Sequence, residues 1–262
     1  MENVEQLVDE LHIQDLRNET HPSFFDENED YDMLIIRLPI AEETLSVKSM
    51  GFVYTAENSY FYNKTEQKFE AYGNRFDGPY KLIDKMLDRM LKSFVQYQDT
   101  VANMGELLYA KNITSDFMTN WLKLKHDLLR IEHVLLRTAS TMNEFIEYNE
   151  HKEDFPVNNY IDLHEHMERI MRSAGLQLSK LDDLYSFYTV RTNEKMNKMI
   201  YILTIISAIF LPLNLMVGFF GMNTSGLPFT AGSNGSLNAV VLMSLLLIIT
   251  SIAILLWNKR IE

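Results

Sequence analysis

Two uncharged runs stand close together near the end of this 262-residue chain, Met199 to Phe220 and Ala239 to Trp257. Runs of this kind restrict conformation severely. In hydrocarbon every backbone N–H and C=O must be satisfied within the segment, so each run has to be helical. At about 1.5 Å per residue, each is long enough to cross a hydrocarbon core roughly 30 Å thick. The chain is therefore expected to end in a membrane hairpin. The tripeptide Gly221-Met222-Asn223 sits at the mouth of the first span, where the helix gives way to a short polar loop. A glycine and a carboxamide in that place point to the handling of ions rather than to anchorage alone.

Charge is divided just as unevenly. The net −12 is carried before Met199, so the first 198 residues are expected to be soluble and large enough for one or two cores. With no cysteine, neither a disulfide framework nor thiolate zinc binding is open to the chain. The acidic start, Met1-Glu2-Asn3-Val4-Glu5, has no apolar core of a cleaved signal peptide, so the hairpin is expected to direct insertion. Arg191, Lys195 and Lys198 precede the first span, Lys259 and Arg260 follow the second, and Gly221 to Asn238 between them is uncharged. The positive-inside rule then puts both termini in the cytoplasm.

The soluble part changes period near residue 77. Met33 to Leu38, Gly51 to Thr55, Ser59 to Asn63 and Lys68 to Tyr72 read as strands, with Ala56-Glu57-Asn58 as a hairpin turn. After Asp77-Gly78-Pro79 the pattern turns helical, with Leu82, Met86, Met90 and Phe94 recurring at about four. A second helix is expected after Thr114-Ser115, with Phe117, Trp121, Leu128, Ile131, Leu135, Met142 and Phe145 on its apolar stripe; the acidic stretch Glu147 to Asp154 ends the pair. The fold class is thus α+β and mostly helical. The segments are an N-terminal αβ region (1–78), a helical hairpin (79–155), a stalk helix (156–198), a first span (199–220), an external loop (221–238), a second span (239–257) and a tail (258–262).

From Val157 to Leu211 there is no proline and one glycine, Gly175, so stalk and first span are expected to be one helix of 64 residues to Phe220, on the order of 95 Å long. Such a helix needs partners along its whole course, and one copy provides too few, so a homo-oligomer is expected. Steps of three and four through Asn197 trace Asp183, Ser186, Val190, Asn193, Asn197, Ile200, Thr204, Ser207, Leu211, Asn214, Gly218 and Gly221. Most of the polar side chains of the span, Thr204, Ser207 and Asn214, fall on this one line. Hydroxyls and a carboxamide turned to lipid are costly, whereas facing a wet axis they can contact a passing ion.

Residues Asn197 to Asn223 resemble the first transmembrane helix and Gly-Met-Asn signature of the CorA family of divalent-cation transporters. Thr20-His21-Pro22 and Tyr31-Asp32-Met33-Leu34-Ile35 resemble the family's first strand more weakly. The resemblance implies a homopentameric funnel in a bacterial or archaeal plasma membrane, stalk helices around a central pore, and a selectivity filter of Gly221, Met222 and Asn223. It places hydrophobic constrictions at Ile200, Leu203 and Leu211, which can close by dewetting. Asn223 carboxamides and Gly221 carbonyls would hold magnesium with much of its water shell, and Asn214 would give a second oxygen ring. The membrane potential would drive entry, about 4.6 kcal/mol for a divalent ion per 100 mV.

The resemblance also implies gating by a cation bound between cytoplasmic domains, for which Asp182 and Asp183 are candidates. The family's stalk acid one turn nearer the membrane is replaced here by Ser186. The loop Thr224-Ser225-Gly226-Leu227-Pro228 has no carboxylate and looks more like the ZntB zinc branch, so a zinc transporter, with or without proton coupling, is the rival reading; cobalt and nickel are further candidate ions. His126 and His133, seven apart, share a helix face, while His164 and His166 diverge. A membrane-anchored sensor or structural protein would want a featureless anchor, which Pro212, Asn214 and Gly218 are not. The expected partners are further copies of the chain, the bilayer and divalent cations. No catalytic cofactor, nucleic acid or enzymatic constellation is indicated.

Overall fold

The computed structural model describes residues 4–41, 44–110, 115–221 and 234–261. Two short helices, α1 (Val4–Leu7) and α2 (Glu10–Arg17), precede five strands: β1 (Phe24–Glu27), β2 (Asp32–Ala41), β3 (Leu45–Tyr54), β4 (Asn58–Asn63) and β5 (Lys68–Asn74). Helices α3 (Asp77–Tyr109), α4 (Phe117–Asn149), α5 (Val157–Phe220) and α6 (Gly235–Ile261) follow. The chain divides into two compact units, Met1–Ser186 and Phe187–Glu262.

The sheet is an antiparallel meander in which each strand pairs with the next in sequence, β1-β2-β3-β4-β5. Its long ladder joins β2 to β3 from Asp32↔Tyr54 to Ala41↔Leu45. Strand side chains alternate, so the two faces collect different neighbours. Met33, Ile35, Val53 and Tyr62 face one way and pack with Val4, Val8 and Leu16 from the short helices. A Cβ at Gly51 would lie 2.2 Å from the Cδ2 of Leu16, so a larger residue there would displace that side chain. Phe25 and Tyr54 on the opposite face meet Phe145 of α4 at ring distances of 5.3 and 5.1 Å.

The expected strands and helices are present, with α5 running from Val157 to Phe220 as one helix. Every residue expected on the α4 stripe is buried. On α3 the expected Met86, Met90 and Phe94 are buried, while Leu82 is only partly so and the neighbouring Ile83 and Leu87 are buried completely. Three elements were not anticipated: α1, α2 and β1. α2 is capped by Asp9, whose carboxylate accepts from the Leu11 N–H at 2.8 Å. β1 is a four-residue edge strand, Phe-Phe-Asp-Glu, too short and too acidic to announce itself.

The root of α5 is held by buried polar contacts. Tyr160 donates from its hydroxyl to the Phe76 carbonyl at 2.9 Å. Just before the helix, Lys152 reaches the buried Asp32 carboxylate at 3.4 Å, which Arg75 approaches at 3.6 Å. Farther along, Trp121 of α4 donates from Nε1 to the Leu181 carbonyl at 2.8 Å, and its ring stacks on Tyr185.

Candidate functional site

The apolar stretch of α5 expected to cross the membrane lies in the second unit. Thr204, Ser207, Leu211, Asn214 and Gly218 are all exposed in the single chain, as are Asn197, Ile200 and Leu203. The partly covered residues are Ile205, Ile209, Pro212, Leu213, Met216 and Phe220. At 3.6 residues per turn these lie on the opposite side of the helix from the polar line. One chain therefore partly covers one apolar side of the span and leaves the polar line exposed, together with flanking apolar residues such as Ile206, Phe210 and Leu215.

Local chemistry adds oxygen to that line. Thr204 gives its hydroxyl proton to the Ile200 carbonyl at 2.9 Å, so the lone pairs of its Oγ1 remain free to accept. On the opposite, partly covered side, Pro212 sits inside the helix and has no N–H to give the carbonyl of Ala208. A Cβ at Gly218 would meet nothing within 4 Å, so nothing within its own chain demands a glycine there. At Gly221 the reverse holds: its N–H donates to the Val217 carbonyl at 2.8 Å, and a Cβ would approach that oxygen to 2.9 Å. Met222 and Asn223 lie outside the described residues, as does the loop to residue 233.

The two stalk aspartates turn to different neighbours. Asp182 is paired with Lys125 of α4 at 2.7 Å, and that ammonium also sits 4.9 Å from the Trp121 ring centre. Asp183 instead lines a cavity of about 260 Å³ with Gly105, Glu106, Tyr109 and Lys180.

A different cluster gathers near the root of α5. Asp84 of α3 meets Asp162 and His166 of α5, with one ligand atom from each lying within 4.8 Å of the others. His166 Nε2 is 3.7 Å from Asp162, while its Nδ1 is buried without a hydrogen-bond partner. Burial first, then the charge of Asp88, pushes the Asp84 carboxyl above its usual range; Asp162 adds to the rise and His166 opposes it. Oxygen and imidazole donors in this number fit a divalent cation. The sequence held the signal, since Asp162 and His166 are four apart on one helix face. Pairing His166 with His164 concealed it.

Comparison with known proteins bears on the whole chain. The family described as CorA-like Mg2+ transporter protein matches residues 2–260. A putative metal ion transporter of Bacillus subtilis, YfjQ, is 23% identical over 170 residues, covering 64% of this chain and 53% of that protein. The chain thus spans about half the length of that curated relative. Among solved structures, the CorA magnesium transporter from Methanocaldococcus jannaschii superposes with a TM-score of 0.75 at 16% identity, over 95% of this chain and 84% of the other. The full-length CmaX protein gives 0.69 at 17% identity over 97% and 81%. The ZntB cytoplasmic domain from Vibrio parahaemolyticus gives 0.56 at 14% over 73% and 82%. At these identities the structures establish a shared fold.

Proposed function

The chain belongs to the CorA-like Mg2+ transporter family, and on that premise we propose that it moves divalent cations, magnesium foremost, along the axis of a homopentamer. The observation that carries this reading is the line of polar and small residues from Asn197 through Thr204, Ser207 and Asn214 to Gly218, exposed on the side of the first span opposite its partly covered apolar residues. Left to lipid, that line would be penalised; turned to a shared axis, it offers hydroxyl and carboxamide oxygens to a hydrated ion. Gly218, unconstrained within its own chain, suits the close approach of neighbouring copies.

In this reading Gly221 ends the helix so that Met222 and Asn223 form the outer filter, while Ile200, Leu203 and Leu211 form apolar constrictions. Magnesium gives up its water reluctantly, so neutral carboxamides that bind through the hydration shell are better matched to it than a dehydrating cage. Asp84, Asp162 and His166 are our choice for the regulatory cation, ahead of Asp182, whose carboxylate already has Lys125.

Flux into proteoliposomes tests the proposal. Magnesium, cobalt, nickel and zinc are compared with and without a proton gradient, and Asn223→Ala is expected to abolish uptake. Unchanged uptake in that variant would remove the filter from the mechanism. Zinc uptake that exceeds magnesium uptake and requires the proton gradient would favour the zinc reading, which the carboxylate-free loop Thr224-Ser225-Gly226-Leu227-Pro228 motivates.

A further inference from the structure

Carboxylates outnumber cations in this chain, 36 Asp and Glu against 24 Lys and Arg, yet one corner of the N-terminal unit gathers several cations, with the Glu19 carboxylate acting on Lys64. Arg37 follows Met33 and Ile35 along β2, on the same face and one step beyond the apolar cluster. Its Nη1 donates to the Thr20 carbonyl at 3.4 Å, while its Nε is buried with no hydrogen-bond partner. Directly across the β2–β3 ladder stands Ser49, whose Oγ is also buried and without a partner. Opposed residues of an antiparallel pair share a face, so the two unanswered groups are neighbours.

Further positive charge converges on the same corner. Lys64, from the β4–β5 turn, donates to the Asn18 carbonyl at 3.2 Å, two residues from the anchor of Arg37. Arg137 of α4 donates from Nε to the Ser23 carbonyl at 3.1 Å. Three basic side chains from separate parts of the sequence therefore close on the main chain of residues 18–23. Among the described residues, none of Arg37, Lys64, Arg130 and Arg137 takes part in an ion pair. Burial and then the charge of Arg130 lower the pKa of Arg37. Burial lowers that of Lys64 as well, with Glu19 opposing and Arg37 adding to the fall.

Main-chain carbonyls accept hydrogen bonds but cancel no charge. What is missing at this corner is an anion with several oxygens: one edge of a guanidinium binds two oxygens of one group, and the hydroxyl and ammonium approach from other directions. A planar carboxylate presents two oxygens and one charge, fewer than these donors ask for. We propose that Arg37 and Ser49, with the charges of Lys64 and Arg130, form a binding site for a phosphate group, either free or at the end of a small metabolite. Such a ligand is opposite in charge to the transported ion, and every group that would hold it comes from one chain. The site therefore stands or falls separately from the permeation path.

The full chain in detergent is titrated with inorganic phosphate, sulfate or adenosine triphosphate against chloride at matched ionic strength, read by thermal midpoint and by phosphorus NMR line broadening. Phosphate is expected to raise the midpoint beyond chloride, by the mass-action stabilisation of a ligand that binds only the folded form. Tighter binding of the nucleotide identifies a metabolite as the source, and equal or weaker binding identifies the free ion. Arg37→Gln and Ser49→Ala should each weaken binding by roughly tenfold or more, the range for losing a charged hydrogen bond. Arg169→Gln, exposed on α5, should bind as the unmodified protein does. Should Arg37→Gln fail to fold, Ser49→Ala leaves every charge in place and carries the test alone. A response no larger than that of chloride, or unchanged binding in the substituted proteins, overturns the proposal.

Discussion

Asp84 stands between two demands, since its carboxyl is partly buried beside Asp88 and Asp162 and is a disadvantage until a cation reaches it. Asp84→Asn should therefore raise the thermal midpoint of chelator-treated protein and reduce the further rise that added divalent ion produces. A midpoint that responds to magnesium or cobalt equally in both proteins would dismiss the cluster as a cation site. Tyr97 offers a pH test on a different pair of helices. Its hydroxyl approaches Asp127 at 3.5 Å, and burial, then the charge of that carboxylate, pushes it from 10.0 up to about 12. A phenol raised on folding keeps its proton longer in the folded state, so stability falls as pH climbs from 10.0 through about 12. Tyr97→Phe removes that contribution, and its melting point should decline less steeply across this window. Side chains of this kind were hard to read in the sequence. Asp182 and Asp183 drew attention as a doublet, yet successive helical positions point about 100° apart, and only the fold shows that one meets Lys125 while the other lines a cavity with Glu106 and Lys180.

Elements were far more legible than sites. The apolar stripe of α4 fixed its period and its buried face, and the absence of proline from Val157 to Leu211 made α5 readable as a single helix. The meander strands followed from β-branched and aromatic runs, although β3 begins at Leu45, well ahead of the apolar stretch at Gly51, because half of its length is solvent-facing. The segments before β2 escaped for a physical reason: α1, α2 and β1 are four to eight residues long and draw their stability from the sheet rather than from any period of their own. One join between α4 and α5 is made by Trp121, which donates to Leu181 and stacks on Tyr185. Trp121→Phe keeps the stacking ring but leaves the Leu181 carbonyl without this donor, and should destabilise the first unit by about 1–3 kcal/mol in denaturant unfolding monitored by circular dichroism.

At the scale of the whole molecule, the freedom from cysteine becomes a tool. A single cysteine placed at Ser225, in the loop between the spans, should react with a membrane-impermeant maleimide added to intact cells. One placed at Ser46, exposed on β3, should react only after the membrane is opened. Labelling of the Ser46 position from outside, with the Ser225 position protected, would reverse the orientation that Arg191, Lys195 and Lys198 suggest. The order of the sheet has a consequence for how such a protein is made. Because every strand pairs with the one that precedes or follows it, no strand must wait for a distant segment to be synthesised. The first unit can settle progressively as it leaves the ribosome, before the apolar C-terminal helices emerge.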